Sequence, residues 1–353
     1  MIDNTQPYEQ WRDEMLEDLR MFFTEHGVDP DQALAQLPSD LPRLIRHGHF
    51  SCVRDMVDKA VRSLEEALRI DPRSYEAHCT LGRIYMGHGK YAIAEQYYKS
   101  AIELKSDNFK DLLSWLYAMK RQGQCDELSQ RLQAHIHTVM HHAMNLYAIE
   151  SGKSESVFEV LEHEDATDVW LNAFSREAQE EFLTSKSIVL RDVLPPVVFS
   201  LIRAQQKAAR ENRMLTHDKA RSRFVSFDLL SAAVLANFQL CDLVSKMVGK
   251  EVIPTYAFSI HYVAGGQIKP HRDRLQNELS MSLSLDMNPD GKEWPLYVGD
   301  EPDVRAVRLG LNDALLYRGA EVTQARKSLG KGRTCDQIIF GFRTVDESHC
   351  NCV

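Results

Sequence analysis

The first half of this chain of 353 residues repeats itself with a period of 34 residues. Small and large residues recur at that spacing, and the paired positions are Ala60 and Ala94, Leu64 and Tyr98, and Ala67 and Ala101. Between residues 8 and 150, Pro and Gly are sparse and apolar residues recur at three- and four-residue steps, which predicts helices. Small residues let antiparallel helices approach closely and large ones fill the gaps between pairs, so this region must build its core by stacking helix pairs.

The clearest unit reads YEAHCTLGRIYMGHGKYAIAEQYYKSAIELKSDN. It resembles the tetratricopeptide repeat, whose period is also 34 residues. The neighbouring units fit in part, so we expect two or three units capped by flanking helices. The resemblance implies a concave face that binds a peptide or a partner protein. The alternative is a scaffold that supports the second half of the chain or builds a homodimer, and the sequence leaves both open.

Composition narrows the functional classes. Apolar residues make up 44% and charged residues 26%, as in ordinary globular proteins. The 42 basic residues against 51 acidic ones give a net charge of −9 without a basic block, which argues against nucleic-acid binding. Apolar runs fall short of the roughly 20 residues that cross a bilayer, and no secretory signal is apparent. The 7 scattered cysteines indicate reduced thiols, so we expect a cytoplasmic protein that binds neither nucleic acid nor membrane.

The predicted secondary structure changes after residue 184, from helices alone to a mixture of helices and short strands. SIVLRDVLPP predicts a strand that ends at a Pro-Pro turn, two amphipathic helices follow, and then come short strand-like runs separated by Gly, Pro, Asn and Asp. Helices followed by many short strands indicate helices packed on a β-sandwich or jelly roll. The predicted fold class is therefore α + β. We expect four segments: a tetratricopeptide-like domain at 1–150, a helical linker at 151–183, a jelly-roll domain at 184–347 and a tail at 348–353 containing His349, Cys350 and Cys352.

A metal-binding pattern follows a Gly-Gly turn in the second half. His271 and Asp273 are two residues apart, so on an extended strand both side chains leave the same face and can chelate one ion. A third ligand from a distant strand would complete a face of two histidines and one carboxylate, which favours iron(II) and oxygen chemistry. Tyr262 precedes the pair at the end of a strand, and LNDALLYRGAEV and a terminal strand preceded by Arg333 follow it.

This ordered series, over roughly residues 185–345, resembles the iron(II)/2-oxoglutarate-dependent oxygenases, particularly the prolyl-hydroxylase-like branch. The resemblance implies a double-stranded β-helix with Fe(II) and 2-oxoglutarate as cofactors. His271 and Asp273 match the first two metal ligands. Arg333 matches the basic residue that anchors the far carboxylate of 2-oxoglutarate, which a guanidinium binds bidentately. Tyr262 matches a tyrosine that donates a hydrogen bond to the same cosubstrate, and strand alternation turns His261 outward, away from the site.

The chain departs from the family at the distal metal ligand. Relatives end the LYRGxEVxH phrase with histidine, and this chain has Gln324 there. Three outcomes are open: Gln324 ligates iron through its amide oxygen, Gln324 points away and leaves His271 and Asp273 to hold the ion, or the site binds no iron.

The resemblance implies an oxygenase with an atypical His-Asp-Gln site, with His271, Asp273 and Gln324 as catalytic residues and metal ligands. It would hydroxylate, or otherwise oxidise, a C–H bond of a peptide, protein or peptide-like metabolite. The alternative is a catalytically inactive relative that acts as a binding adaptor through its repeats. A halogenase or another non-hydroxylating oxidase is a third reading. It ranks lower because halogenases lose the carboxylate ligand to chloride, whereas this chain keeps Asp273. The sequence does not identify the substrate.

Overall fold

The computed structural model describes most of residues 16–124 and 174–346, apart from short gaps at 22, 25–27, 36–43, 46, 49–55, 107, 274–276, 290–293 and 301. Two compact units divide the chain between Arg131 and Leu132, and Asp346 groups with the first unit. The proposed tail and most of the proposed linker lie outside the described residues. The domain boundaries inferred from the sequence stay predictions.

The first unit is helical. Its helices are α1 (Pro30–Ala35), α2 (Val57–Ile70), α3 (Tyr75–Gly87), α4 (Tyr91–Leu104) and α5 (Phe109–Arg121). Side-chain caps set the starts of two of them: the Ser74 hydroxyl accepts a hydrogen bond from the Ala77 amide, and the Asn108 side chain accepts one from the Asp111 amide. Consecutive helices from α2 to α5 pack against one another, as expected for stacked helix pairs.

The contact between α3 and α4 explains the spacing of small and large residues. Tyr98 is fully buried, and its ring lies against Gly82. A Cβ atom at Gly82 would lie 3.1 Å from that ring, closer than side chains normally approach. The absence of a side chain at position 82 therefore lets the two helices of this pair meet around Tyr98.

We expect Gly82→Val to destabilise the first unit by about 1–3 kcal/mol, because the added methyl groups must displace the buried Tyr98 ring. Urea unfolding followed by circular dichroism measures the change. Ala92→Val is the matched control, because Ala92 is exposed on α4 and the substitution adds the same β-branching without a collision. Equal losses of stability for the two variants would contradict the packing explanation.

The second unit combines helices with two antiparallel sheets. Its helices are α6 (Arg176–Ser185), α7 (Pro196–Glu211) and α8 (Ser231–Val248). Its strands are β1 (Ser187–Leu190), β2 (Thr216–Asp218), β3 (Arg223–Phe227), β4 (Val252–Tyr262), β5 (Ile268–His271), β6 (Leu279–Asn288), β7 (Leu296–Val298), β8 (Arg305–Val307), β9 (Ala314–Tyr317), β10 (Gln324–Arg326) and β11 (Thr334–Thr344). Among the described residues the major sheet has the order β1-β9-β6-β11-β4-β3-β2 and the minor sheet the order β5-β10-β7-β8.

This architecture confirms the predicted fold class, in which a helical repeat region is followed by a jelly-roll-like antiparallel sandwich with helices. Apolar side chains from both sheets form the core between them: Leu296 and Val298 of the minor sheet pack with Leu315 and Tyr317 of the major sheet. Helices α7 and α8 pack on the major sheet. Four strands, β2, β7, β8 and β10, have only three residues each, and runs that short carry little alternation in the sequence.

His261 faces away from the candidate metal residues, as strand alternation predicts. Its side chain leaves the face of β4 opposite to Tyr262, as strand alternation requires, but it does not reach solvent. His261 Nδ1 lies 2.6 Å from Asp336 Oδ1 on the neighbouring strand, and Arg210 of α7 donates a hydrogen bond of 2.8 Å to the same carboxylate. Helix α7 therefore covers this residue, which belongs to the buried helix–sheet interface and not to the surface.

None of the helices in the described part of the chain is both long enough and apolar enough to cross a membrane.

Candidate metal and cosubstrate site

Two strands of the minor sheet bring the predicted metal residues together. Strand β5 ends at His271, and β10 places Gln324 directly opposite His271 in the antiparallel register. Asp273 follows β5, where its amide donates a hydrogen bond of 2.8 Å to the Gly319 carbonyl. Glycine at 319 makes room for the carboxylate, because a Cβ atom there would lie only 3.0 Å from Asp273 Cγ. The backbone at Gly319 thus both holds Asp273 and leaves space for it.

His271 and Asp273 have the geometry of two adjacent metal ligands. His271 Nε2 lies 3.7 Å from Asp273 Oδ1, and the imidazole is 47% exposed. The His271 Nδ1–H donates to the Lys269 carbonyl at 2.9 Å, which leaves Nε2 as the free lone pair. Imidazole nitrogen and carboxylate oxygen are both good ligands for first-row metal ions. These two residues fit one divalent cation.

Gln324 is buried between Asp273 and Tyr317. Its amide nitrogen donates a hydrogen bond of 2.7 Å to Asp273 Oδ1, and its amide oxygen accepts one of 2.8 Å from the Tyr317 hydroxyl. The Ser280 hydroxyl donates to the other Asp273 oxygen at 2.7 Å. In this arrangement Gln324 turns a donor, not a ligand oxygen, toward the carboxylate. No group of three His, Cys, Asp or Glu side chains among the described residues is placed to hold a metal ion.

Burial dominates the electrostatics of this cluster. It raises the pKa of Asp273, although hydrogen bonds from Ser280 and Gln324 and the nearby His271 act in the opposite direction. Burial and the charge of Asp273 raise the pKa of Tyr317 well above its usual range, so Tyr317 remains a hydroxyl donor to Gln324. A cation that approaches a poorly solvated carboxylate stabilises its negative charge. The burial of Asp273 therefore suits a metal ligand.

Tyr262 and Arg333, the residues predicted to hold the cosubstrate, lie near one row of the major sheet. The register pairs Met287, Cys335, Tyr262 and Arg223 across β6, β11, β4 and β3, so their side chains share one face. Tyr262 is fully buried, and its hydroxyl accepts a hydrogen bond of 3.3 Å from Arg223. Arg333 precedes β11, with Nη2 3.8 Å from the Met287 sulfur. Neither residue's role toward a cosubstrate is tested by these contacts.

Arg326, whose charge suggests a solvated rim from the sequence alone, is buried in the structure. Its guanidinium carbon lies 4.6 Å from the centre of the Trp294 ring, and Nη1 donates to the Trp294 carbonyl. Trp294 in turn stands edge-on to the Tyr262 ring, with ring centroids 4.9 Å apart. Arg326 is only 4% exposed, and burial lowers its pKa. The available signal was its position two residues after Gln324, which places both side chains on the same face of β10.

The family model of the tetratricopeptide repeat matches residues 75–108. These residues are the unit identified from the 34-residue period, so that prediction is confirmed. No curated protein matches the chain.

Solved structures resemble the chain at low identity. A Pseudomonas putida prolyl-4-hydroxylase is 13% identical, with a TM-score of 0.39 over 48% of this chain and 97% of that one. A 2OG-Fe(II) oxygenase-family oxidoreductase from Burkholderia pseudomallei is 9% identical, with a TM-score of 0.37 over 48% and 92%. HygX from Streptomyces hygroscopicus, with nickel, 2-oxoglutarate and hygromycin B bound, is 12% identical, with a TM-score of 0.40 over 48% and 88%.

Proposed function

We propose that this protein is an iron(II)/2-oxoglutarate-dependent oxygenase whose second unit oxidises an unactivated C–H bond, most simply by hydroxylation. The observation that carries the proposal is the pair formed by His271 and Asp273. An exposed imidazole Nε2 with a free lone pair lies 3.7 Å from the oxygen of a buried carboxylate. These two residues would hold the iron, and Gln324 occupies the position of the usual third ligand.

Residues around His271 and Asp273 would orient these two metal ligands. The hydrogen bond from His271 Nδ1 to the Lys269 carbonyl fixes the imidazole tautomer and its orientation. Ser280 and the Gly319 carbonyl hold Asp273, the former through the carboxylate and the latter through the backbone amide. If bound there, iron(II) and 2-oxoglutarate would supply the oxidising chemistry, in which one oxygen atom of O2 goes to the C–H bond and the other to the succinate formed, with CO2, from the keto acid.

Gln324 positions Asp273 in this proposal. Tyr317 holds the amide oxygen, so the amide nitrogen faces Asp273 and fixes one carboxylate oxygen. Rotating the amide to present its oxygen to a metal would break both bonds and place that oxygen near an ionised carboxylate. We therefore propose that this metal site would have two protein ligands, His271 and Asp273. Such a site should bind iron more weakly than a site with three protein ligands.

The test is anaerobic titration of the full chain with iron(II) and 2-oxoglutarate, following the weak visible charge-transfer band of the chelate. We expect a band in the wild type that is lost in Asp273→Ala. The matched control is Asp300→Ala, which removes an exposed carboxylate that bonds Arg272 and Thr323 instead. If millimolar iron(II) produces no band and calorimetry detects no binding, the proposed function is wrong.

The second candidate is a catalytically inactive adaptor, and the network around Gln324 favours it. Gln324 satisfies Asp273 without a metal, as expected of a site that has lost its ion. The titration above separates the two readings. In either case we propose that the tetratricopeptide repeat region binds a peptide or protein partner. That partner is the substrate if the second unit is an enzyme. The repeat region is also compatible with a homodimer.

We also propose a reducing compartment, the cytoplasm. Cys79, Cys241 and Cys335 are buried cysteines that form no disulfide among the described residues. Burial raises the pKa of Cys335 to about 12, so this thiol stays protonated and unreactive.

A further inference from the structure

Three aromatic side chains form a connected surface on the face of the major sheet that carries Tyr262. Phe227 and Phe258 are paired in the register of β3 and β4, and their rings stack with centroids 4.3 Å apart. The Tyr256 ring stands nearly perpendicular to both, with its centroid 5.5 Å from that of Phe227 and 6.4 Å from that of Phe258. We call Phe227, Tyr256 and Phe258 the aromatic surface.

The aromatic surface is less covered than the rest of this face. The neighbouring residues Ile260 and Tyr262 of β4 are fully buried. Phe227, by contrast, is 61% exposed, and Tyr256 and Phe258 are only partly buried. A single exposed apolar side chain needs no explanation, but connected aromatic rings that remain accessible to water are typical of a binding surface.

Tyr256 connects the aromatic surface to the candidate metal residues. The register aligns Tyr256, Gly341 and Ser280 in one row across β4, β11 and β6. A Cβ atom at Gly341 would lie 2.9 Å from the Tyr256 ring, so the glycine lets this ring lie over β11 toward Ser280. Ser280 in turn donates its hydroxyl hydrogen to Asp273. Burial and the negative charge of Asp273 both raise the pKa of Tyr256, as expected for a hydroxyl near that carboxylate.

The charges around the aromatic surface favour an uncharged ligand. The Arg223 guanidinium carbon lies 5.5 Å from the centre of the Phe258 ring, so a cation already occupies this ring and would repel a second one. Asp218 accepts a hydrogen bond of 3.0 Å from Arg223 and neutralises it, which leaves little attraction for an anion. An aliphatic or aromatic side chain needs neither a counter-ion nor a hydrogen-bond partner on such a surface.

We propose that the aromatic surface binds an uncharged aliphatic or aromatic side chain of a peptide substrate and directs it toward His271 and Asp273. This inference rests on the proposed function, because it names the class of substrate for the same site. An unactivated C–H bond belongs to a hydrocarbon group, and contact with ring faces holds such a group without hydrogen bonds. The competing explanation is that the three rings only pack the ends of β3 and β4.

The first measurement is peptide binding to the metal-free full chain by ligand-observed nuclear magnetic resonance. The probes are capped pentapeptides Gly-Gly-X-Gly-Gly in which X is Leu, Phe, Lys or Glu. We expect the Leu and Phe peptides to bind at least about tenfold more tightly than the Lys and Glu peptides. Phe227→Ser should weaken binding of the Leu and Phe peptides by at least about fivefold, and Phe227→Leu, which keeps an apolar contact, by less.

Val197→Ser is the matched control for the Phe227 variants. Val197 is 53% exposed on α7, and this helix packs on the opposite face of the major sheet. Removing its apolar side chain should change the affinity for every peptide by less than about twofold.

The second measurement locates the bound side chain relative to the metal. Manganese(II) binds imidazole and carboxylate ligands and broadens the resonances of nearby protons. With manganese(II) added, we expect the protons of the Leu or Phe side chain to broaden more than those of the terminal glycines. This difference should disappear in Asp273→Ala. Electron paramagnetic resonance of free manganese(II) shows independently whether the metal is bound.

Several results would overturn the inference. Equal affinity for the four peptides, or binding of none, would show that the side chain at X is not recognised. Tightest binding of the Lys peptide would indicate a cation-binding surface instead. An unchanged affinity for the Leu peptide in Phe227→Ser would leave the rings with a packing role alone. Bound manganese(II) that does not broaden the side chain at X would place the peptide away from His271 and Asp273.

Failure of the proposed function has a different signature. Manganese(II) would then not bind, while selective binding of the Leu and Phe peptides and its loss in Phe227→Ser would still support recognition by the aromatic surface. If Phe227→Ser does not fold, as judged by circular dichroism, the affinities of the wild type for the four peptides and the manganese(II) measurement decide.

Discussion

Gln324→His is expected to raise the affinity of the second unit for iron(II) by about 10- to 100-fold. The antiparallel register places position 324 directly opposite His271, and the present side chain reaches Asp273 at 2.7 Å. An imidazole at 324 can therefore approach the same ion as His271 and Asp273. It adds a third ligand, and it also frees the Asp273 oxygen that the amide now occupies. Anaerobic titration with iron(II), followed by calorimetry, measures the change.

Gln324→Leu is the matched control for this variant. It removes the amide and frees the same Asp273 oxygen, but it contributes no ligand. We expect the Leu variant to bind iron(II) within about threefold of the wild type. The freed Asp273 oxygen becomes available to the metal, but it has also lost its hydrogen-bond donor, and the two effects on affinity oppose each other. If both variants raise the affinity equally, the amide is an inhibitor of metal binding and position 324 does not reach the metal. An unchanged affinity in the His variant would contradict a metal site at His271 and Asp273.

The substitution at 324 also changes the hydrogen-bond partner of Tyr317. Tyr317 is fully enclosed, and its hydroxyl donates to the Gln324 oxygen. A histidine that ligates a metal through one ring nitrogen keeps the other as N–H, so the Tyr317 oxygen can switch from donor to acceptor. The His variant therefore keeps this buried hydroxyl satisfied, whereas the Leu variant does not. We expect the Leu variant to be the less stable of the two by about 1–3 kcal/mol.

Local patterns account for what the sequence could predict. The 34-residue spacing of small and large residues predicts packed helix pairs, and the order of helices and strands predicts the fold class. His271 and Asp273 could be assigned as a pair because two residues of the same strand direction share a face whatever surrounds them. Each of these statements depends on residues that are close in the chain.

The features of the site that the sequence could not predict depend on contacts between distant segments. The orientation of the Gln324 amide is set by Tyr317 and Asp273, which belong to different segments of the chain, so no local pattern shows whether its oxygen or its nitrogen faces the carboxylate. Arg326 reads as a surface charge in the sequence, and only the Trp294 segment makes it a buried one. The burial of His261 likewise follows from the docking of α7 on the major sheet.

Gly319→Ala is expected to abolish most iron(II) binding and to destabilise the second unit by about 1–3 kcal/mol. The added methyl group would collide with the Asp273 carboxylate, whose Cγ would lie 3.0 Å away. The backbone cannot easily retreat, because the Gly319 carbonyl accepts the hydrogen bond from the Asp273 amide. Asp273 must therefore turn away, which separates it from His271. Gly330→Ala is the matched control, since a Cβ there would meet only Arg333 Cδ at an ordinary 3.5 Å.

A double-variant cycle makes this explanation testable apart from metal binding. If the collision with the carboxylate causes the loss of stability, the loss should disappear once the carboxylate is removed. In the Asp273→Ala background, Gly319→Ala should therefore cost less than about 0.5 kcal/mol in thermal or urea unfolding. A cost that is the same in both backgrounds would place the strain in the backbone at Gly319. Because the stability cycle needs no ligand, it tests the placement of Asp273 even in a protein that binds no metal, and iron binding by Gly319→Ala then reports whether that placement serves the metal.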